Sequence, residues 1–279
     1  MGTCIYFPLM GTLDTQNDLA GLRKWSLERD DSHTIYPHRV YRDDKGNIYH
    51  SVTHILKETV PEQQKQALDK WLERPTSIQE RDVAAKRGTL MHNHAEYLLK
   101  TASKLARSAA NRRNSWKTGN DGLERCPKAI TKWALQKAAE TAPRVPFSAS
   151  GYARGLRSWI LERVTAIHAV EFSIHKNNFA GTADALIDID GKGPFICDWK
   201  SSQLARSDAL LQNYADQAGA YSMGLRDLTG INCVGSFIVV ARRSGAPQIK
   251  ELNYLELKSS EVRFLTRSSI FESKLKLTA

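Results

Sequence analysis

Apolar and small residues recur every three or four positions at Ala84, Gly88, Met91, Ala95, Leu98, Ala102 and Leu105. That spacing draws one stripe down a helix and predicts a long one over about Ser77 to Leu105. Beyond residue 165 the period shortens toward two. AIHAVEFSIHK (166–176), AGTADALIDID (180–190) and PFICDWKSS (194–202) read as three strands, after a helix over GYARGLRSWILERV. A helix over ARSDALLQNYADQAGAYSMGL follows, then strands over CVGSFIVVARR and QIKELNYLEL, and a last helix from about Ser259 to Leu277. In the first half, TIYPHRVYRDDKGNIYHSVT reads as two short strands around a DDKGN turn, with a helix starting near Val52. Further helices are expected after Pro61 and from Lys128 to Glu140, before the proline-bearing linker TAPRVP. The order predicts an α/β (α+β) protein. A hairpin and helical region over 1–145 packs on an αβββαββ core over 146–279.

Charge narrows the partners. The 279 residues carry a formal net charge of +10, which favours an acidic partner such as nucleic acid over a neutral metabolite. Between Tyr97 and Asn120 there is no acid, while Lys100, Lys104, Arg107, Arg112, Arg113 and Lys117 are interleaved with Trp116 and asparagines. Two readings stand for this stretch, a solvated loop and a nucleic-acid contact. No apolar run approaches the ~20 residues of a membrane span, and the first residues lack a basic head before a long apolar run. A soluble intracellular protein with no membrane partner is expected. Cys4, Cys126, Cys197 and Cys233 are too scattered for a zinc or iron-sulfur site. Cys197 and Cys233, in apolar strands, are expected to be buried free thiols.

Within these strands sit charges that need a reason. In PFICDWKSS, alternation places Ile196, Asp198 and Lys200 on one face and Phe195, Cys197 and Trp199 on the other. A three-residue loop at Gly191–Gly193 would set Asp190 opposite Pro194 and Asp184 opposite Lys200. Asp198 then lies diagonal to Asp184, at a Cα distance on the order of 7 to 8 Å. Two carboxylates so close repel unless something positive sits between them. Either a divalent cation with hard oxygen ligands or a salt-bridged strand pair using Lys200 meets that need.

G-T-x-D, then an apolar strand ending D-W-K-S, resembles the PD-(D/E)xK nuclease superfamily, whose restriction-endonuclease-like αβββαβ core has the element order read above. RGTLMHNHAE on the long helix and the Q-x-x-x-Y of QAGAY resemble its RecB-type branch, with the single-strand exonucleases of mitochondrial genome maintenance and their phage counterparts. YHSVTHILKETV, followed by a tryptophan-bearing helix, is similar to the region before the histidine motif of those proteins, so the likeness runs from about Tyr49 to Val240.

The resemblance implies Mg²⁺ or Mn²⁺ held by Asp184, Asp198, His92 and the carbonyl of Trp199, with Lys200 as the motif lysine. An imidazole in the set makes Mn²⁺ competitive with Mg²⁺. It further implies substrate contacts from Gln217 and Tyr221, and from Arg87, Thr89 and Ser201 beside the motifs. Departures are small: Ala183 stands where a larger apolar residue is usual, and Ser201 where threonine is. Plainer alternatives exist for several of these residues. His92 and Glu96 are spaced for an i, i+4 surface pair, His94 points away and should be exposed, and Tyr221 suits a core position with Gln217 as its polar partner. Glu171 fits either a carboxylate behind the metal ligands or a solvated strand position.

The function implied is metal-dependent hydrolysis of DNA from its ends, preferentially single-stranded, in replication, recombination or phage DNA metabolism. The rivals are a structure-specific endonuclease of the same fold and a non-catalytic nucleic-acid-binding protein.

Overall fold

The computed structural model describes residues 27–32 and 38–278. Cys4 and the first residues of the expected N-terminal hairpin, Thr34–Pro37, lie outside them. The chain runs β1 (Glu28–Asp30), β2 (Val40–Arg42), β3 (Ile48–Ser51), α1 (Val52–Glu58), α2 (Glu62–Leu72) and α3 (Ser77–Arg113). A small hairpin, β4 (Lys117–Thr118) and β5 (Glu124–Arg125), leads to α4 (Lys128–Thr141) and α5 (Phe147–Arg163). Then come β6 (Val164–Lys176), β7 (Phe179–Ile189), β8 (Pro194–Ser201), α6 (Asp208–Thr229), β9 (Gly235–Ala241), β10 (Gln248–Asn253) and α7 (Tyr254–Thr278). The order α5-β6-β7-β8-α6-β9 is the αβββαβ core expected.

One mixed sheet of eight strands forms the middle layer, in the order β1-β2-β3-β7-β8-β9-β10, with β6 on the other edge of β7. The β2–β3 ribbon from the first half therefore extends the core sheet. β6 pairs along β7 from Phe179 to Ile189, so β3 and β8 must share the opposite edge. There β3 takes Phe179 and Ala180, and β8 takes Ala185 to Asp188. Between them, Gly181 to Asp184 lie at a fork in the sheet.

Helices cover both faces, because alternate side chains of the central strands are apolar on both sides. Ile55 of α1, Leu211 and Met223 of α6, and Leu257, Phe264 and Phe271 of α7 pack on one face with Ile196 and Ile238. Met91, Leu98, Leu135, Leu156 and Trp159 from α3, α4 and α5 pack on the other, with Cys197, Trp199 and Phe237. Within β6 the alternation skips a step. Ala169 belongs to the first core and Val170 to the second, yet Phe172 returns to the first. Glu171 between them has φ +51°, a left-handed conformation that turns the chain by one position. The same change of side occurs on β7 across Asp184, between Ala183 and Ala185.

Three expectations are corrected. The long helix runs on to Arg113, so most of the basic stretch from Lys100 is helical and not loop. Asn114 ends it at φ 45°, the left-handed cap that asparagine tolerates. The last helix begins at Tyr254 and not near Ser259, because Asn253 and Glu256 form a reciprocal cap: Glu256 N–H donates to Asn253 Oδ1 at 3.0 Å and Asn253 N–H to Glu256 Oε2 at 2.8 Å. His94 is half-buried near Pro143 and Arg157. Cys197 and Cys233 are buried and unbridged. Among the described residues, no helix is long and apolar enough to cross a membrane.

Candidate active site

The β7–β8 register differs from the expected one by two residues. Asp188, not Asp190, faces Pro194, and Ala185 faces Cys197. The connection is thus five residues, Ile189 to Gly193, with Asp190, Gly191 and Gly193 all at positive φ. Carried one step further, this register sets Asp184 across from Asp198, with Lys200 one inward-facing position beyond. An even shift leaves the faces unchanged.

Asp184 is 8% exposed. Its Oδ1 lies 3.2 Å from Nδ1 of His92, delivered by α3, and its Oδ2 accepts the Trp199 N–H at 2.5 Å. Burial opposes the charge on Asp184, but His92, Lys200 and the Trp199 amide hold its pKa below the ordinary value. Burial likewise opposes the charge on His92, and the Asp184 carboxylate outweighs it, raising the imidazole to about 9. The indole of Trp199 faces away from the site, edge-on to Trp159 at 5.7 Å.

Asp198, 2% exposed, is bound to the lysine two residues on. Lys200 Nζ donates to Asp198 Oδ1 at 2.8 Å and lies 2.7 Å from Oδ2. Burial, with Asp184 adding to it, lifts the Asp198 carboxyl to about 6 despite Lys200. Lys200 also reaches Gln217 Oε1 at 3.4 Å and lies 5.0 Å from the Tyr214 ring centre. Gln217 Nε2 in turn donates to the Tyr221 hydroxyl at 2.8 Å. The Q-x-x-x-Y pair therefore backs the motif lysine, one turn apart on α6.

Glu171 joins this group through its left-handed turn. Burial, then the charges of Asp184 and Glu96, raise its pKa to about 8. One ligand atom from each of His92, Glu171 and Asp184 lies within 4.8 Å of the other two. Two carboxylates and an imidazole at that spacing fit a hard divalent cation of the Mg²⁺ or Mn²⁺ kind. Asp198 falls outside that triplet, held by Lys200 beside it.

These side chains share a cleft of roughly 420 Å³ with Thr89 and Glu96 of α3. Glu96 pairs with Lys100 at 2.8 Å, not with His92. Arg87 is not among the lining residues; it is buried, 4.7 Å from the Tyr152 ring centre. Ser201 is outside the lining too, and a side chain at Gly88 of α3 would meet its Oγ at 3.6 Å. The opposite wall comes from the N-terminal ribbon, with Tyr41, Ser51, Thr53, Arg29 and Arg39. Both arginines are held by Asp31, at 2.6 and 2.5 Å. The hairpin of Val40–Arg42 and Ile48–Ser51 was legible in the sequence around its DDKGN turn, but nothing local said that it would pair with β7 and wall the cleft.

No curated protein matches the chain. A family model described as the PD-(D/E)XK nuclease superfamily matches residues 21–261, a span that takes in the helix carrying His92, the strands carrying Asp184, Asp198 and Lys200, and the helix of Gln217 and Tyr221. With a match of that length, and with the fork of the sheet gathering the motif residues into one cleft, the chain belongs to the PD-(D/E)XK nuclease superfamily.

Proposed function

We propose that the protein is a metal-dependent exonuclease that hydrolyses DNA from its ends and prefers single strands. The observation that carries the reading is Lys200, held between Asp198 and Gln217 beside the triplet of His92, Glu171 and Asp184 in one cleft. His92, Asp184, Asp198 and the carbonyl of Trp199 are the residues to hold the ion, with Glu171 adding a carboxylate. A divalent cation bound there supplies Lewis-acid polarisation of the phosphodiester and a more acidic water. Ion and proton would compete for the same imidazole lone pair, so His92 would hold the ion only as the neutral imidazole, its proton released to solvent. Lys200 places a positive charge, fixed by two partners, where negative charge develops on phosphate oxygens. Gln217 and Tyr221 keep that ammonium in place, while Thr89, Arg29 and Arg39 present donors to neighbouring phosphates.

The test is digestion of end-labelled linear and closed circular DNA, single- and double-stranded, with Mg²⁺, Mn²⁺ or a chelator. Linear single strands should be degraded with either ion and spared with the chelator, and circles should survive. Asp198→Ala and Lys200→Ala should abolish cleavage and leave DNA binding largely intact. Cleavage of circles would replace the exonuclease reading by an endonuclease, and full activity in either variant would remove the site assignment.

A further inference from the structure

Among the stretches of the chain that lack any acid are 83–95, 141–161, 199–207 and 241–250. They are far apart in sequence and meet in the fold. β8 and β9 run parallel and end side by side at Ser201 and Ala241. The segments that follow them are bonded together, Arg206 N–H to Gln248 Oε1 at 2.7 Å and Gln248 Nε2 to Arg206 O at 3.0 Å. α5 lies against the second of these so closely that a Cβ at Gly151 would fall 2.0 Å from the carbonyl oxygen of Arg243. α3 closes the group, with Gly88 against Ser201 and Arg87 over Tyr152 of α5.

The result is a shelf at the carboxyl ends of β8 and β9, adjoining the cleft through Gly88, Thr89 and Lys200. It gathers Lys86, Arg87, Arg154, Arg206, Arg242 and Arg243, and among the described residues none of these six has a carboxylate within ion-pair distance. Arg125, Arg163, Arg226, Arg263 and Arg267 are paired with carboxylates, whereas Arg107, Arg112 and Arg113 of α3 share with the shelf the lack of an ion pair among the described residues, which is why α3 supplies the comparator below. Unpaired like charges repel, so such a cluster is stabilised by a polyanion laid across it. Nε of Arg87 and Nε of Arg206 are buried without a hydrogen-bond partner. Phe147, 86% exposed, lies on the α5 face of Gly151 and Arg154, one turn before the first and two before the second, where it offers a ring to a base.

We infer that this acid-free shelf carries the sugar–phosphate backbone of the polynucleotide next to the cleft, with its arginines on phosphates and Phe147 on a base. The inference rests on the nuclease reading, since it is continuity with Lys200 that selects a nucleic acid over another polyanion. Arginine forks suit phosphate oxygens in bidentate contact, and arginine supplies five of the six charges.

The test is binding of a fluorescent single-stranded oligonucleotide in chelator, where nothing is cut, across a salt series. Arg154 and Arg243 are exposed, and their double reversal, Arg154→Glu with Arg243→Glu, leaves the cleft untouched. Affinity should fall at least tenfold, and the slope of log affinity on log salt should shrink by about 1.4, two contacts at ~0.7 each. Under Mg²⁺, KM should rise with kcat unchanged. Phe147→Ala should weaken binding about fivefold or more. A matched reversal on the far end of α3, Lys104→Glu with Arg113→Glu, serves as comparator.

Unchanged affinity and slope in the shelf variant, or a loss confined to the α3 comparator, would overturn the inference. So would wild-type binding to anionic vesicles that the shelf variant loses while its DNA affinity stays intact. Cleavage with neutral shelf variants sinks the shelf alone, whereas shelf-dependent binding without metal-dependent cleavage sinks the nuclease reading alone.

Discussion

Gly181 opens the G-T-x-D motif, and its reason for being glycine is space, not backbone freedom, since its φ is not positive. A Cβ built there would lie 2.6 Å from Cε1 of Tyr221 and 3.3 Å from its Cζ and hydroxyl oxygen. Carbon contacts are optimal near ~3.5–4.0 Å, so Gly181→Ala must push the ring back by about 1 Å. Tyr221 is 3% exposed and packed in the α6 core, so it has little room to yield. Overpacking of this kind costs about 1–3 kcal/mol. At ~2–4 °C per kcal/mol for a domain of this general size, Tm should fall by about 2–12 °C in a calorimetric scan. The displaced hydroxyl also disturbs Gln217 and, through it, Lys200, so kcat should fall by up to ~100-fold, the order of loss from a 1 Å misplacement. Trimming the ring in Gly181→Ala with Tyr221→Leu should recover stability relative to the sum of the single variants, with a coupling on the order of 1 kcal/mol. Gly181→Ala melting within about 1 °C of wild type with an unaltered kcat would refute this packing account, and with it the link between the two motifs.

Two further outcomes test the charges. Mg²⁺ or Mn²⁺ at a hundred times its Kd should stabilise the protein by ~2.7 kcal/mol, seen as a rise in Tm, and Asp184→Asn or Glu171→Gln should reduce that rise; an equal rise in all three would remove them as ligands. Asp188 is buried away from the cleft, where burial opposes its charge but hydrogen bonds from His168 at 2.7 Å and Arg125 at 2.5 Å hold its pKa below 3.8. A depressed carboxyl contributes stability that is present above its unfolded pKa and lost as pH falls through its folded one. Urea titrations should therefore find Asp188→Asn less stable by on the order of 3 kcal/mol at pH 5 to 7, with the gap narrowing below about pH 4. A gap independent of pH from 7 to 3 would contradict the pairing.

Much of the core was legible because its signals are local. The alternation in 166–202 announced three strands and put Asp198 and Lys200 on one face, while the family resemblance added Gln217 and Tyr221 to Asp184, Asp198 and Lys200. What escaped was set by backbone geometry that side-chain pattern does not encode. A three-residue turn was the economical reading of Gly191-Lys192-Gly193, but Asp190 takes a left-handed φ of 52° and lengthens the connection. Glu171 was ambiguous for the same reason: only its φ of +51° turns it toward His92 and Asp184. The end of α3 and the start of α7 did carry signals, in Asn114 and in the pairing of Asn253 with Glu256. The four acid-free segments are plain in the sequence, yet nothing local says that they converge.

The skipped alternation at Glu171 and Asp184 has a wider bearing. Both acids stand where the β6–β7 pair changes allegiance from one apolar layer to the other, so neither position is asked to fill a hydrophobic interior. The acids and the apolar packing are thereby assigned to separate positions. Replacing either acid thus takes no side chain out of an apolar layer, and the seam is a place where ionisable groups stand without dismantling either layer.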